Sequence, residues 1–120
     1  MEKRLLGRWG EQTAANYLKS KGFKIIGMNY SCRMGEIDLI AENRKYIVFV
    51  EVKLRKSKSF ALAREYVNRS KQEKIKITAS LWLSQNETKL QPRFDVIEIY
   101  APEGVKSPLV DINHIENAFE

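Results

Sequence analysis

Asp38, Glu51 and Lys53 are the residues of this 120-residue chain whose types and spacing best suit chemistry. Glu51 and Lys53 lie two apart in the run Val50-Glu51-Val52-Lys53, so on an extended strand they share a face, opposite Val48, Val50 and Val52. Two carboxylates and a lysine on a largely apolar strand pair are costly unless paired, hydrated or bound to a metal ion. Carboxylate oxygens suit Mg²⁺, with Mn²⁺ as the alternative, and Mg²⁺ tolerates one or two carboxylates plus substrate phosphate. Such an ion polarises a phosphate and holds the attacking water, while a lysine orients that water and offsets developing charge.

The elements that must position these groups follow from periodicity. Residues 5–21 form an amphipathic helix, with Leu6, Trp9, Thr13, Ala14, Tyr17 and Leu18 on one stripe and Gly22 as the stop. Glu11 lies on the flank of that stripe, one turn from Ala14 and Ala15. Phe23 to Tyr30 reads as a strand, and Glu36 to Ala41 and Tyr46 to Lys53 as two more, joined by a polar turn at Asn43-Arg44. If that hairpin pairs residue 38 with 51, or with 49, Asp38 shares the face of Glu51 and Lys53, and Glu36 lies there too.

Residues 54–67 are expected to be a basic loop, after which Asn68 or Ser70 caps a helix to about Ser84. Lys71 sits one turn before Ile75 and should point inward, toward whatever that helix covers. Pro92 opens a strand from Phe94 to Tyr100, and a weaker extended segment near Leu109 to Ile112 precedes a tail. The predicted order is α-β-β-β-α-β with a last strand in doubt, an α/β arrangement in a single domain spanning 1–120.

Charge and composition narrow the function. The chain carries 21 lysines and arginines against 15 acids, a net charge of +6. Residues 44–76 hold eleven basic side chains and three acidic ones, whereas 95–120 hold six acids and only Lys106. A concentrated basic segment that includes Arg55, Lys56, Lys58, Arg69 and Lys71 suits the phosphate backbone of a nucleic acid. With Cys32 and His114 as the single examples of their kinds, an intramolecular disulfide, a Cys/His zinc site and a two-histidine nuclease mechanism are excluded, and both residues read as ordinary. No apolar run approaches the ~20 residues of a membrane span, and the N-terminus lacks an apolar core of signal-peptide length, so a cytoplasmic location is expected.

The acid-x-lysine motif alone is weak, since Glu87-Thr88-Lys89 matches it in a polar loop. The longer pattern is specific. Gly35-Glu36-Ile37-Asp38-Leu39-Ile40 followed by Val48-Phe49-Val50-Glu51-Val52-Lys53 and Arg55 closely resembles the YraN family of predicted bacterial endonucleases, in the PD-(D/E)XK superfamily near the archaeal Holliday junction resolvases. Gly7, Gly10 and Glu11 match its first-helix motif, and Arg93-Phe94-Asp95-Val96 and Asn117-Ala118-Phe119 its later signatures. Two departures, Ala61 for a common Gly and Asn68-Arg69-Ser70 for a Pro-containing helix start, fall in and after the basic loop.

The resemblance implies a restriction-endonuclease-like fold, a central mixed β-sheet flanked by helices. It implies Asp38, Glu51 and Lys53 as the core site, Glu11 as an additional metal-side carboxylate, and Lys71 approaching from the second helix. The implied activity is metal-dependent hydrolysis of phosphodiester bonds in DNA, with branched or recombination intermediates as substrates. A homodimer is compatible with it, because resolvases cut two strands. The alternative is a non-catalytic nucleic-acid-binding or partner-docking module that keeps the fold.

Overall fold

The structure, a computed structural model, describes residues 3–56, 67–107 and 110–120. In chain order the elements are α1 (Lys3–Ser20), β1 (Lys24–Cys32), β2 (Gly35–Glu42), β3 (Tyr46–Arg55), α2 (Arg69–Gln85), β4 (Gln91–Tyr100), a 3-10 turn at Gly104–Lys106, and β5 (Asp111–Phe119). The basic loop contributes nothing further, since residues 57–66 lie outside the described set.

Helix α1 stops where Gly22 adopts φ 92° and the amides of Gly22 and Phe23 reach back to the carbonyls of Lys19 and Leu18. That conformation favours glycine and satisfies carbonyls the helix would otherwise leave open. Strands β2 and β3 are joined by a tight turn in which Asn43 Oδ1 accepts from the amides of Lys45 and Tyr46. Of the two candidate caps for α2, Asn68 is used: its Oδ1 accepts from the Lys71 amide at 2.9 Å.

The five strands form one sheet in the order β1-β2-β3-β4-β5. All neighbours are antiparallel except β3 and β4, which run parallel and are connected through α2. This α/β architecture, a five-stranded mixed sheet with helices on its faces, is consistent with the restriction-endonuclease-like fold expected above. Each helix covers one face. Ala14, Ala15 and Leu18 of α1 pack on Leu39, Ala41, Val48, Val50, Ile97 and Ile99, while Ile75 and Ala79 of α2 pack on Ile40, Ile47, Phe49 and Val96. Ile47 through Val50 are therefore buried without alternation, as a central strand covered on both faces requires. No helix among the described residues is long and apolar enough to cross a membrane.

Gly35 lets α2 come close to the start of β2: a Cβ there would lie 3.1 Å from Thr78 Oγ1 and 3.3 Å from Lys74 Cβ. That approach brings the first half of α2 over the end of the β2–β3 pair.

The expectation for the C-terminus needs correction. The weak segment assigned to Leu109–Ile112 begins at Asp111 and continues as β5 through Phe119, the stretch read as a tail, while Leu109 lies outside the described residues. Its apolar signal is weak because polar groups anchor it. Fully buried Asp95 receives two parallel bonds from Arg93, Nε and Nη2, each at 2.9 Å, and lies 2.6 Å from His114 Nε2. The Asn117 amide donates to its Oδ1 at 3.0 Å, where Asn117 takes φ 51° and the β4–β5 register shifts. His114 also meets the Tyr17 hydroxyl through Nδ1, tying β5 to α1.

Burial alone would raise the Asp95 carboxyl, but the bonds from His114, Arg93 and the Asn117 amide outweigh it and hold Asp95 below the usual carboxylate range. Its contribution to stability is thus present at neutral pH and lost as pH falls below about 4, through the depressed native value. Asp95→Asn should cost about 3 kcal/mol at neutral pH, because Arg93 loses its buried two-bond partner and keeps only the exposed Glu116 carboxylate, 3.0 Å from its Nη1. Urea unfolding at neutral and acid pH checks this: the variant should lose much of the wild type's stability change below about pH 4.

Candidate functional site

The site forms where two antiparallel strands part. The β2–β3 ladder runs from Glu42↔Ile47 to Leu39↔Val50 and stops there. One step beyond, residue 38 lies across from 51, the first of the two registers the sequence allowed. The Val52 amide, no longer bound in the ladder, donates instead to Asp38 Oδ2 at 2.8 Å. Strict alternation also fails here, since Ile37 buries with Ile40 on the α2 side whereas Leu39 and Ala41 bury on the α1 side. Asp38 sits at that change of face.

Asp38 and Glu51 line one cavity of about 280 Å³ together with Gly35, Glu36, Lys71, Lys74 and Ile75. Glu51 is only 7% exposed, and its Oε1 is shared by two ammonium groups: Lys71 Nζ at 2.5 Å and Lys53 Nζ at 3.5 Å. Lys71 does point inward from α2, as its place one turn before Ile75 suggested. Its ammonium therefore belongs to the carboxylate cluster as much as to any outer basic surface.

The electrostatics follow from crowding. Burial and the adjacent Glu51 charge push the Asp38 carboxyl up to about 7, with smaller contributions from Glu11 and Glu36, and the Val52 amide opposing. Burial pulls Lys53 below the ordinary lysine value, which Glu51 opposes and Lys71 reinforces. Burial acts against Lys71 too, yet its hydrogen bond to Glu51 prevails and holds it above that value.

Glu11 and Glu36 form a second acidic pair through Asn29, whose Nδ2 donates to Glu11 Oε1 at 2.9 Å and Glu36 Oε1 at 3.1 Å. Glu36 is thus not simply on the face of Asp38 and Glu51, as alternation implied. It stands at the divide and lines cavities on both sides. Sequence reasoning missed Asn29. Met28 and Tyr30 pair with Leu39 and Ile37, so Asn29 lies across β2 from Asp38, with φ 53°. An asparagine inside an apolar strand was the available signal, since it tolerates a left-handed backbone better than its neighbours do.

The proposed nucleic-acid contacts are dispersed. Lys56 and Arg69 are exposed, and Lys58 falls outside the described residues. Arg55 is only 21% exposed, with Nε 3.8 Å from Oε2 of buried Glu98. Glu98, in register with Lys53, was also missed. Its Oε1 accepts from Asn113 Nδ2 at 2.9 Å while Oε2 has no hydrogen bond among the described residues.

A family model described as "Uncharacterised protein family UPF0102" matches residues 10–99, which include Glu11, Asp38, Glu51, Lys53 and Lys71. A UPF0102 protein of Caldanaerobacter subterraneus subsp. tengcongensis is 49% identical over 121 residues, covering 99% of this chain and 98% of the relative. The chain belongs to the UPF0102 family, the YraN family that its motifs resemble. UPF0102 proteins of Caldicellulosiruptor saccharolyticus and Clostridioides difficile are similar at 42% and 44% identity, each over 99% of this chain and the whole relative.

The donor set of this UPF0102 site fits a divalent cation held by two carboxylates. Asp38 Oδ1 and Glu51 Oε2 make no hydrogen bond within the described residues, and both are hard oxygen donors in the same cavity. Glu11, drawn off by Asn29, does not join them, and no cluster of three or more His, Cys, Asp or Glu is gathered for a metal among the described residues.

The raised Asp38 value has a stability consequence in the cation-free protein. The native state holds a proton that the unfolded chain releases near pH 4, so stability falls as pH rises from about 4 toward 7. Asp38→Asn, which keeps an acceptor for Val52, should be more stable than wild type by about 2 kcal/mol at pH 8 and lose that advantage near pH 4. Denaturant unfolding across this range with chelator present is the check; equal wild-type and variant curves at pH 8 would contradict it.

Proposed function

We propose that this UPF0102 domain is a metal-dependent endonuclease that hydrolyses phosphodiester bonds in DNA. The carrying observation is that Asp38 and Glu51 meet at the parted end of β2 and β3 with Lys53 on the same carboxylate. Resemblance to the resolvases points to branched or recombination intermediates as the substrate class.

Asp38 and Glu51 would hold Mg²⁺, or Mn²⁺ in its place, which when bound supplies Lewis acidity to the scissile phosphate and lowers the pKa of water. The remaining work falls to the chain. The Val52 amide fixes the Asp38 carboxylate by one oxygen and leaves the other facing the cavity. Lys71 neutralises and orients Glu51 from α2. Lys53, whose pKa burial lowers so that its neutral amine is more accessible, would accept a proton from the attacking water in that neutral form and, as the ammonium so formed, offset charge gathering on the phosphate. Lys56 and Arg69, with Lys58 of the undescribed stretch, supply counter-charge to the DNA backbone, positioning it without reading sequence.

A cleavage screen of linear, flapped and four-way DNA with Mg²⁺ or Mn²⁺ tests this reading. Asp38→Asn and Glu51→Gln should each lower cleavage by at least about 100-fold, with DNA affinity retained or improved as carboxylate repulsion is relieved. Lys53→Ala should keep metal binding and lose turnover by a similar factor. Variants that cut as fast as wild type would place the activity elsewhere. A wild type that binds DNA but cuts no substrate would favour the non-catalytic module.

A further inference from the structure

Beside the carboxylate site, the first turns of α1 form one wall of a second cavity of about 320 Å³, lined by Arg4, Gly7, Arg8, Glu11, Asn29 and Glu36. Glu36 also lines the cavity that holds Asp38 and Glu51, so the two cavities adjoin across that one side chain. Residues 4, 7, 8 and 11 recur at helical spacing and share one face. Glu11 and Glu36 stand at the end that adjoins the carboxylate site, and Arg8 and Arg4 lie about one and two turns before Glu11 along the helix.

Gly7 is the anomaly on this face. Glycine is among the poorest helix residues, and where one persists a close neighbour usually explains it. Gly10 is buried, 3.7 Å from Leu54 Cδ1 as measured from a would-be Cβ, and at Gly35 the helix α2 crowds in. At Gly7 nothing lies within 4 Å of a would-be Cβ, and φ is not positive. Nothing within the described fold requires a glycine there, so the bare backbone suits something that approaches from outside.

We propose that this groove seats the sugar-phosphate backbone of the DNA strand next to the scissile phosphate, with the strand lying against Gly7 between Arg4 and Arg8. The proposal rests on the nuclease reading and extends it by naming where the flanking strand runs. A phosphodiester backbone fits the chemistry because guanidinium groups bind phosphate oxygens with two parallel N–H donors. The groove is open, and its Glu36 end adjoins the cavity where the scissile bond would lie, so a strand running on from that bond can lie along the helix.

The test uses the full chain with fluorescent four-way and linear DNA in chelator, titrated over a salt series, beside thermal unfolding and a cleavage assay with Mg²⁺. Gly7→Gln, a better helix former, should raise the melting temperature by about 2–5 °C while weakening DNA binding at least about tenfold. The double variant Arg4→Gln/Arg8→Gln should reduce the slope of log affinity against log salt by about 2. A stabilised Gly7→Gln protein that binds as tightly as wild type overturns the groove, as does an unchanged salt slope in the double variant. Should Gly7→Gln fold poorly, the salt slope decides alone. Wild type that binds through the groove yet never cleaves upholds the groove and removes the nuclease reading; wild type that binds no DNA removes both.

Discussion

The hydrogen bond from the Val52 amide to Asp38 Oδ2 is the constraint on which the site depends. It forms because the β2–β3 ladder ends at Leu39↔Val50, which frees a backbone donor that must be satisfied at a half-buried position. A carboxylate bound in place of a carbonyl holds the two strand ends at a set separation and leaves the acid between them. The same break lets β2 change faces, so Ile37 packs under α2 while Leu39 packs under α1. The opening between the two core layers is where Glu11 from α1, Lys71 from α2, and Glu51 and Lys53 from β3 can all approach.

Two acids, buried Asp95 and half-buried Asp38, show how differently the fold treats charge. Asp95 has Arg93, His114 and the Asn117 amide as partners, leaving little acceptor capacity unused, and its carboxyl lies below the usual range. Asp38 has one backbone donor, a neighbouring Glu51 carboxylate, and a carboxyl pushed up to about 7. A fully satisfied group is a structural anchor, here the one that holds β5 to β4. An unsatisfied pair of oxygens facing a cavity is a standing cost, and such costs cluster where a ligand relieves them. The two lysines on one oxygen of Glu51 relieve only half of that carboxylate.

Much of this arrangement was legible in the sequence. Strand alternation, in either of the two hairpin registers it allowed, sufficed to put Asp38 on the face of Glu51 and Lys53, and the Lys71 to Ile75 spacing sufficed to turn Lys71 inward. Alternation is a property of unbroken strands, so it put Glu36 with Asp38 and Glu51 but gave no sign that Glu36, which precedes the break at Asp38, also meets Asn29 on the other side. Asn29 escaped notice because its role depends on lying across β2 from Asp38, a pairing set by the shifted β1 register. β5 escaped because its anchors are polar: His114 and Asn117 hold it through Asp95, and their pattern resembles a solvated tail until the partner is known.

The central proposal is that Asp38 and Glu51 form a cation site whose Asp38 carboxyl holds a proton until a cation displaces it. The most direct measurement is calorimetric titration of Mg²⁺ or Mn²⁺ in buffers of differing ionisation enthalpy, which counts protons released on binding. With the Asp38 carboxyl at about 7, binding should release close to one proton at about pH 6 and almost none at about pH 8.5, and Asp38→Asn should abolish the release. Cation binding with the same proton count in wild type and Asp38→Asn, or no cation binding at either pH, would contradict it.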